Sequence, residues 1–320
     1  MTARQQLEAT LAGEQGPIPT LFWKHFGQDE QLGDAAIEAH ERWLAQTNAS
    51  LVKVMNEQLY PHGEEFRNAA QWGSVPAYPA SHPAIQDEVQ LVRDLVARHG
   101  ATHHVLVTVH GLVASAFHAR GGGADYDEKR HQLVDALRAN PAEVAAAYDR
   151  IGGSLVEHVH AYLDAGADGI FLAALGGERS NYSDDEFAEH VRRHDLAILE
   201  AAGSRGALRF LHICKDGVNL ERFAGYEAEI VHVGEHINDF TLDEVRRRFP
   251  NAVVAGGVNN ADPYFTTGAE TDIPRIVESA LAGAVEPVRF MLCADCSLPD
   301  PTPGQWVGRL TQAFTSQTNQ

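Results

Sequence analysis

Cysteine, positive charge and long apolar runs are all scarce in this chain of 320 residues, and each scarcity narrows what it can be. The three cysteines, Cys214, Cys293 and Cys296, are an odd number confined to two short stretches. That is no disulfide framework, and it suits a reducing compartment with metal or redox chemistry. Lysine and arginine total 25 against 44 aspartates and glutamates, a formal net charge of −19. Nucleic-acid binding needs cations to neutralise phosphates, so the balance argues against it and against an anionic membrane surface. No apolar run approaches the roughly 18 residues of a membrane span. The N-terminal stretch Met1-Thr-Ala-Arg-Gln-Gln-Leu-Glu8 lacks the apolar core of a secretory signal. The expectation is a cytoplasmic protein with neither membrane nor nucleic acid as partner. A dinucleotide fold fails as well, because no G-x-G-x-x-G opens a helix and Gly121-Gly-Gly123 follows no strand.

What the chain does have is a strand-then-helix alternation. Strand-like stretches fall at 20–26, 50–55, 103–110, within 164–175, and at 208–214, 229–233, 251–255 and 288–292. Helical stretches separate them, two opened by the capping boxes Ser183-Asp-Asp-Glu186 and Thr241-Leu-Asp-Glu244. Eight such units predict a (β/α)8 TIM barrel, residues 1–320 forming one domain with long loops at 58–84 and 112–140. In such a barrel the active site lies at the C-terminal ends of the strands. Those ends here read His25, Asn56-Glu57, His110, Gly176-Gly177, His212 with Cys214, Glu235-His236, Asn259-Asn260 and Cys296.

His212 and Cys214 alternate along one strand and so share a face. Joined by Cys296 from the last strand end, they make a soft N/S set of three ligands, the pattern of a catalytic zinc site with an open fourth position. Cys293, still within its strand, is expected to be a neighbour. A nucleophilic Cys–His pair is the competing use, but two thiols converging on one imidazole suit a metal better. Glu235 is a candidate fourth ligand or an acceptor for a ligand histidine. Asn56, His110 and Tyr182 lie on strand exits where they can hydrogen-bond a substrate. Gly257 and Asn259 are candidates for close approach to a cofactor, against the plainer reading that glycine there serves a tight strand exit.

Three segments, Leu211-His-Ile-Cys214, Gly256-Gly-Val-Asn-Asn-Ala-Asp-Pro263 and Cys293-Ala-Asp-Cys-Ser-Leu-Pro299, resemble the uroporphyrinogen decarboxylase superfamily. The resemblance runs from Pro19-Thr-Leu-Phe-Trp23 through Gly166-Ala-Asp-Gly-Ile-Phe-Leu172 to the C-terminal helix. It implies a (β/α)8 barrel and one of two chemistries: cofactor-free decarboxylation of porphyrinogens, or zinc-dependent methyl transfer between a corrinoid and a thiol. The decarboxylases are similar to one another in an Arg-x-Ala-Gly-Arg motif and in an aspartate after the second strand. This chain has Phe22-Trp-Lys-His-Phe-Gly27 and Asn56 there instead. The resemblance therefore implies the methyltransferase-like branch, with Zn2+ on His212, Cys214 and Cys296. The corrinoid would come on a partner protein, since no Asp-x-His-x-x-Gly segment is present. A small thiol or methylated molecule would be the other substrate. Decarboxylation of a porphyrinogen or another carboxylate remains the alternative.

Overall fold

The structure, a computed structural model, describes residues 1–57, 60, 69–119, 126–284 and 287–318. Eight strands form it: β1 (Thr20–Leu21), β2 (Leu51–Val54), β3 (His104–His110), β4 (Gly169–Ala174), β5 (Leu208–Ile213), β6 (Ile230–Val233), β7 (Val253–Val258) and β8 (Phe290–Ala294). All pairings are parallel, in the order β1-β8-β7-β6-β5-β4-β3-β2. The helices are α1 (Ala3–Ala12), α2 (Gly33–Thr47), α3 (Ala69–Trp72), α4 (Pro83–His99), α5 (Leu112–Ala119), α6 (Tyr126–Ala139) and α7 (Pro141–Asp164). They continue with α8 (Asp184–Glu186), α9 (Arg193–Gly203), α10 (Leu242–Arg248), α11 (Tyr264–Thr267), α12 (Ile273–Gly283) and α13 (Gly304–Thr318). A π-helical turn, Phe187–Arg192, joins α8 to α9. This is the expected (β/α)8 barrel. Among the described residues no helix is long and apolar enough to cross a membrane.

Two expectations change. The stretch 112–140, read as a long loop, contains α5 and α6; its Gly121-Gly-Gly123 lies outside the described residues. The stretch 58–84 holds α3 and the start of α4, and its residues 58–59 and 61–68 are likewise outside them. β1 is also shorter than its apolar run, pairing with β8 only at Thr20↔Leu292 and Leu21↔Cys293. Trp23 and Phe26 leave the ladder and turn into the core. No ladder joins β1 to β2, so the seam is closed by Ser50. Its N–H donates to the Thr20 carbonyl at 2.8 Å, and its hydroxyl accepts the Thr20 N–H at 3.0 Å.

One core cluster lines the barrel with a residue from every strand: Leu21, Leu51, Leu106, Phe171, Phe210, Ile230, Val253 and Met291. A second, larger cluster fills the space between strands and helices. Side chains alternate along a strand, so the residues two positions after Leu51, Leu106, Phe210 and Ile230 also face inward, one layer nearer the mouth. They are Lys53, Thr108, His212 and His232, all buried. A barrel whose floor is apolar thus carries four polar side chains in the layer beneath its mouth.

Candidate metal centre

β5 continues past its last paired residue, because the Cys214 N–H still donates to the Ala174 carbonyl at 3.0 Å. The chain then turns at Lys215, whose φ of +85° is a left-handed conformation that costs a non-glycine residue roughly 1 kcal/mol or more. Asn238 holds that turn, donating to the Lys215 carbonyl at 3.1 Å and the Gly234 carbonyl at 2.7 Å. On the other side β8 ends at Ala294, and the Asp295 N–H donates to Val258 at 2.8 Å. Asn260 anchors the following loop through the Ser297 carbonyl at 3.1 Å. Those two exits bring Cys214 Sγ to 4.0 Å from Cys296 Sγ, and Cys296 Sγ to 3.9 Å from His212 Nε2. The three ligand atoms all lie within 4.8 Å of one another, the one such His/Cys/Asp/Glu group among the described residues.

The orientation of His212 is fixed from behind. His232, its register partner on β6, has Nε2 at 2.8 Å from the Ala294 carbonyl, which can only accept. Burial, with the charge of His212 adding to it, pushes His232 down to about 3, so it is neutral and carries its proton on Nε2. Its Nδ1 is then an acceptor and takes the Nδ1–H of His212 at 2.7 Å. By elimination His212 Nε2 bears the free lone pair, and that is the nitrogen facing the sulfurs. Trp23 packs edge-on against both imidazoles, with centroids at 5.5 and 5.1 Å, and Phe171 lies 5.5 Å from His212. The two thiols divide their protons. Hydrogen bonding to Cys296 first, then burial, raises Cys214, while the same bond and the nearby His212 lower Cys296 against its burial. Either sulfur can be the donor of the bond they share. Two sulfurs and an imidazole nitrogen with a fixed lone pair suit a zinc-type cation.

The other residues singled out from the sequence fall elsewhere. Cys293 is fully buried inside the barrel and burial raises its thiol well above the ordinary range. Glu235 opens the short turn Glu235–Ile237 after β6, and its carboxylate lies beside Gly283 at the end of α12. Burial raises its pKa, and it does not join the metal group. Its neighbour His236 instead binds the buried Asp295 at 2.9 Å, and that contact raises the imidazole. His110 and Asn56 meet at a small cavity shared with Glu88 and Tyr162, outside the metal group. Asn56 donates to the Thr108 carbonyl at 3.3 Å and leaves Oδ1 without a partner. Tyr182 stands in the loop after β4 with its ring beside Gly176, but it is 1% exposed and its hydroxyl lies 2.9 Å from that of Tyr148 on α7. Gly257, at φ +101°, lies inside β7, where a Cβ would come within 3.2 Å of the Phe290 ring, so packing accounts for it. Asn259 spends its side-chain oxygen on the Ala261 N–H at 2.8 Å, a local turn. Sequence reasoning missed His232 and Lys53. The signal for His232 was its alternation with Ile230 on a strand adjacent to that of His212.

Comparison with known proteins accords with the fold. The family described as uroporphyrinogen decarboxylase (URO-D) matches residues 61–316. None of the curated proteins compared with the chain matches it. Among solved structures, a methyltransferase from Methanosarcina mazei is similar over 100% of both chains, with 17% identity and a TM-score of 0.76. A B12-independent methionine synthase from Shewanella, in complex with selenomethionine, covers 72% of this chain and 66% of its own, with 14% identity and a TM-score of 0.48.

Proposed function

The chain belongs to the uroporphyrinogen decarboxylase family, and from that premise we propose that it is a methyltransferase. It moves a methyl group between a corrinoid, carried on a partner protein, and a small thiol or related molecule, at a zinc ion held by His212, Cys214 and Cys296. One observation carries this reading: three soft donors converge at the barrel mouth with the imidazole tautomer already set for ligation. A bound zinc ion supplies Lewis acidity that keeps a thiol as thiolate at neutral pH. In the direction toward the thiol, the exchange would break the S–H bond and the bond from the methyl group to its carrier and form an S–C bond, the electron pair remaining with the carrier and the thiol proton leaving to solvent. The protein's own groups prepare that exchange. His232 and the Ala294 carbonyl hold His212, Asn238 holds the Cys214 turn, and Trp23 and Phe171 close the floor against water.

Porphyrinogen decarboxylation has less to stand on. The stretch after β1 offers Lys24, paired with Asp300 at 3.8 Å, and no arginine, while Asn56 binds a backbone carbonyl. The test is metal analysis of the purified protein with a His212→Ala variant, followed by methylcobalamin and a panel of thiols. About one equivalent of zinc, lost in the variant, together with thiol-dependent appearance of cob(I)alamin, supports the reading. A metal-free wild type that releases CO2 from a carboxylate substrate, and does so after Cys296→Ala, overturns it.

A further inference from the structure

The layer that carries His212 also carries Lys53, whose residue is 8% exposed. Its Nζ donates to Thr108 Oγ1 at 2.8 Å and to Met55 Sδ at 2.9 Å. It lies 4.4 Å from the centroid of Phe171 and 5.6 Å from that of Trp23, the two rings that pack against His212. Among the described residues it forms no ion pair. Glu57, the carboxylate whose charge reaches it, spends one oxygen on His25 Nδ1 and the other on the Phe26 N–H, both at 2.9 Å. His40 and His110 are the other ionisable groups that feel its charge, and burial lowers both of them. Burial pushes Lys53 itself down to about 7, opposed by the charges of Glu57 and Cys296.

A methionine at this position would fill the same volume without the cost of burying an ammonium among neutral acceptors. The two ring faces recover part of that cost. What the amine adds, when protonated, is a positive charge within electrostatic reach of Cys296. A divalent cation with two cysteine thiolates is neutral overall, so a distant unit charge acts on it little. A third, incoming thiolate makes the complex an anion.

We propose that Lys53 is the counter-charge of that anionic state: it favours a thiolate over a neutral molecule in the open position without contributing to retention of the metal. The proposal rests on the metal-assisted thiol chemistry given under Proposed function. Its test is optical and needs no turnover. Wild type, Lys53→Met and Lys53→Gln are loaded with Co2+ and titrated at neutral pH with 2-mercaptoethanol, followed by sulfur-to-cobalt absorption, and separately with imidazole. All three are expected to hold equal cobalt. Both variants should bind 2-mercaptoethanol on the order of tenfold more weakly. Imidazole should bind all three alike. Unchanged thiol affinity, or equal weakening toward both ligands, overturns the counter-charge and leaves the metal site standing. A wild type that takes up no cobalt overturns the metal site, and the counter-charge falls with it.

Discussion

The two walls of the barrel mouth differ in how completely their polar groups are partnered. On the β5–β6–β8 wall, His212, His232 and the Ala294 carbonyl form a closed chain, Cys214 and Cys296 share a hydrogen bond, and His236 pairs with Asp295. On the β2–β3 wall, Asn56 Oδ1 and Glu88 Oε1 have no partner, and Lys53 sits among neutral acceptors. Burial there raises Glu88 to about 8. A fully partnered wall is preorganised, and what remains open on it is a position for a ligand. An under-partnered wall stores electrostatic cost, which shows up as pH dependence. The two can therefore be broken separately.

The largest effect belongs to the first wall. Cys296→Ala removes a ligand, and metal content should fall from about one equivalent to below roughly a tenth after mild chelation. Metal analysis with circular dichroism checks that the barrel survives, since Cys296 lies beyond β8. His232→Phe tests the support behind the ligand. It keeps ring volume but leaves His212 Nδ1–H without its acceptor, so metal affinity should drop by about 10- to 100-fold while the metal still binds. An unchanged affinity would mean that packing by Trp23 alone orients His212.

Glu88→Gln probes the second wall. Tyr162 donates to Glu88 Oε2, yet burial dominates and the folded carboxyl is held above its ordinary range, to about 8. The folded state then binds the proton more tightly than the unfolded one. Its contribution to stability is fully present below about pH 4.5 and lost as pH rises through about 8. In the glutamine variant the stability lost between those limits should shrink, making it more stable at pH 8 by on the order of a few kcal/mol in urea melts. Some slope should remain, because burial also raises Asp195, to about 7, with the same sign. Equal pH slopes in both proteins would place Glu88 in contact with solvent. Metal content should not change, which separates the walls.

The same contrast explains what the sequence revealed. The first wall was legible because its donors lie two apart on one strand and just after another, so alternation alone placed His212 and Cys214 on a face with Cys296 opposite. All eight strands were legible from their apolar runs. α5 was not: seven of its eight residues, Leu112, Val113, Ala114, Ser115, Ala116, Phe117 and Ala119, are buried, so it lacks the one-sided periodicity that marks a surface helix. Lys53 was hidden by the ordinary habit of lysine to face water, and nothing in the polar loop after β4 announced that Tyr182 would be buried. The polar residues around the second wall's cavity come from the exit of β2 and from β3, α4, α5 and α7. No local pattern announces them.

The smallest effect tests where the second wall ends. Ser50 joins β2 to β1 by lending its hydroxyl to the Thr20 N–H, in place of the carbonyl a continuous ladder would supply. Both residues are 4% exposed, so Ser50→Ala leaves a buried donor unmet while the Ser50 N–H bond to Thr20 persists. The cost should be on the order of 1 kcal/mol, a shift of roughly 2 °C or less in melting temperature. Because β1 carries the chain directly to Trp23, which packs on both imidazoles, a seam that transmits strain would also weaken metal binding. We expect it does not, since Leu21 and Thr20 stay paired to β8. A metal affinity that falls together with the melting temperature would show that the seam and the metal wall form one mechanical unit, and the division between the two walls would then lie at β3 instead of β1.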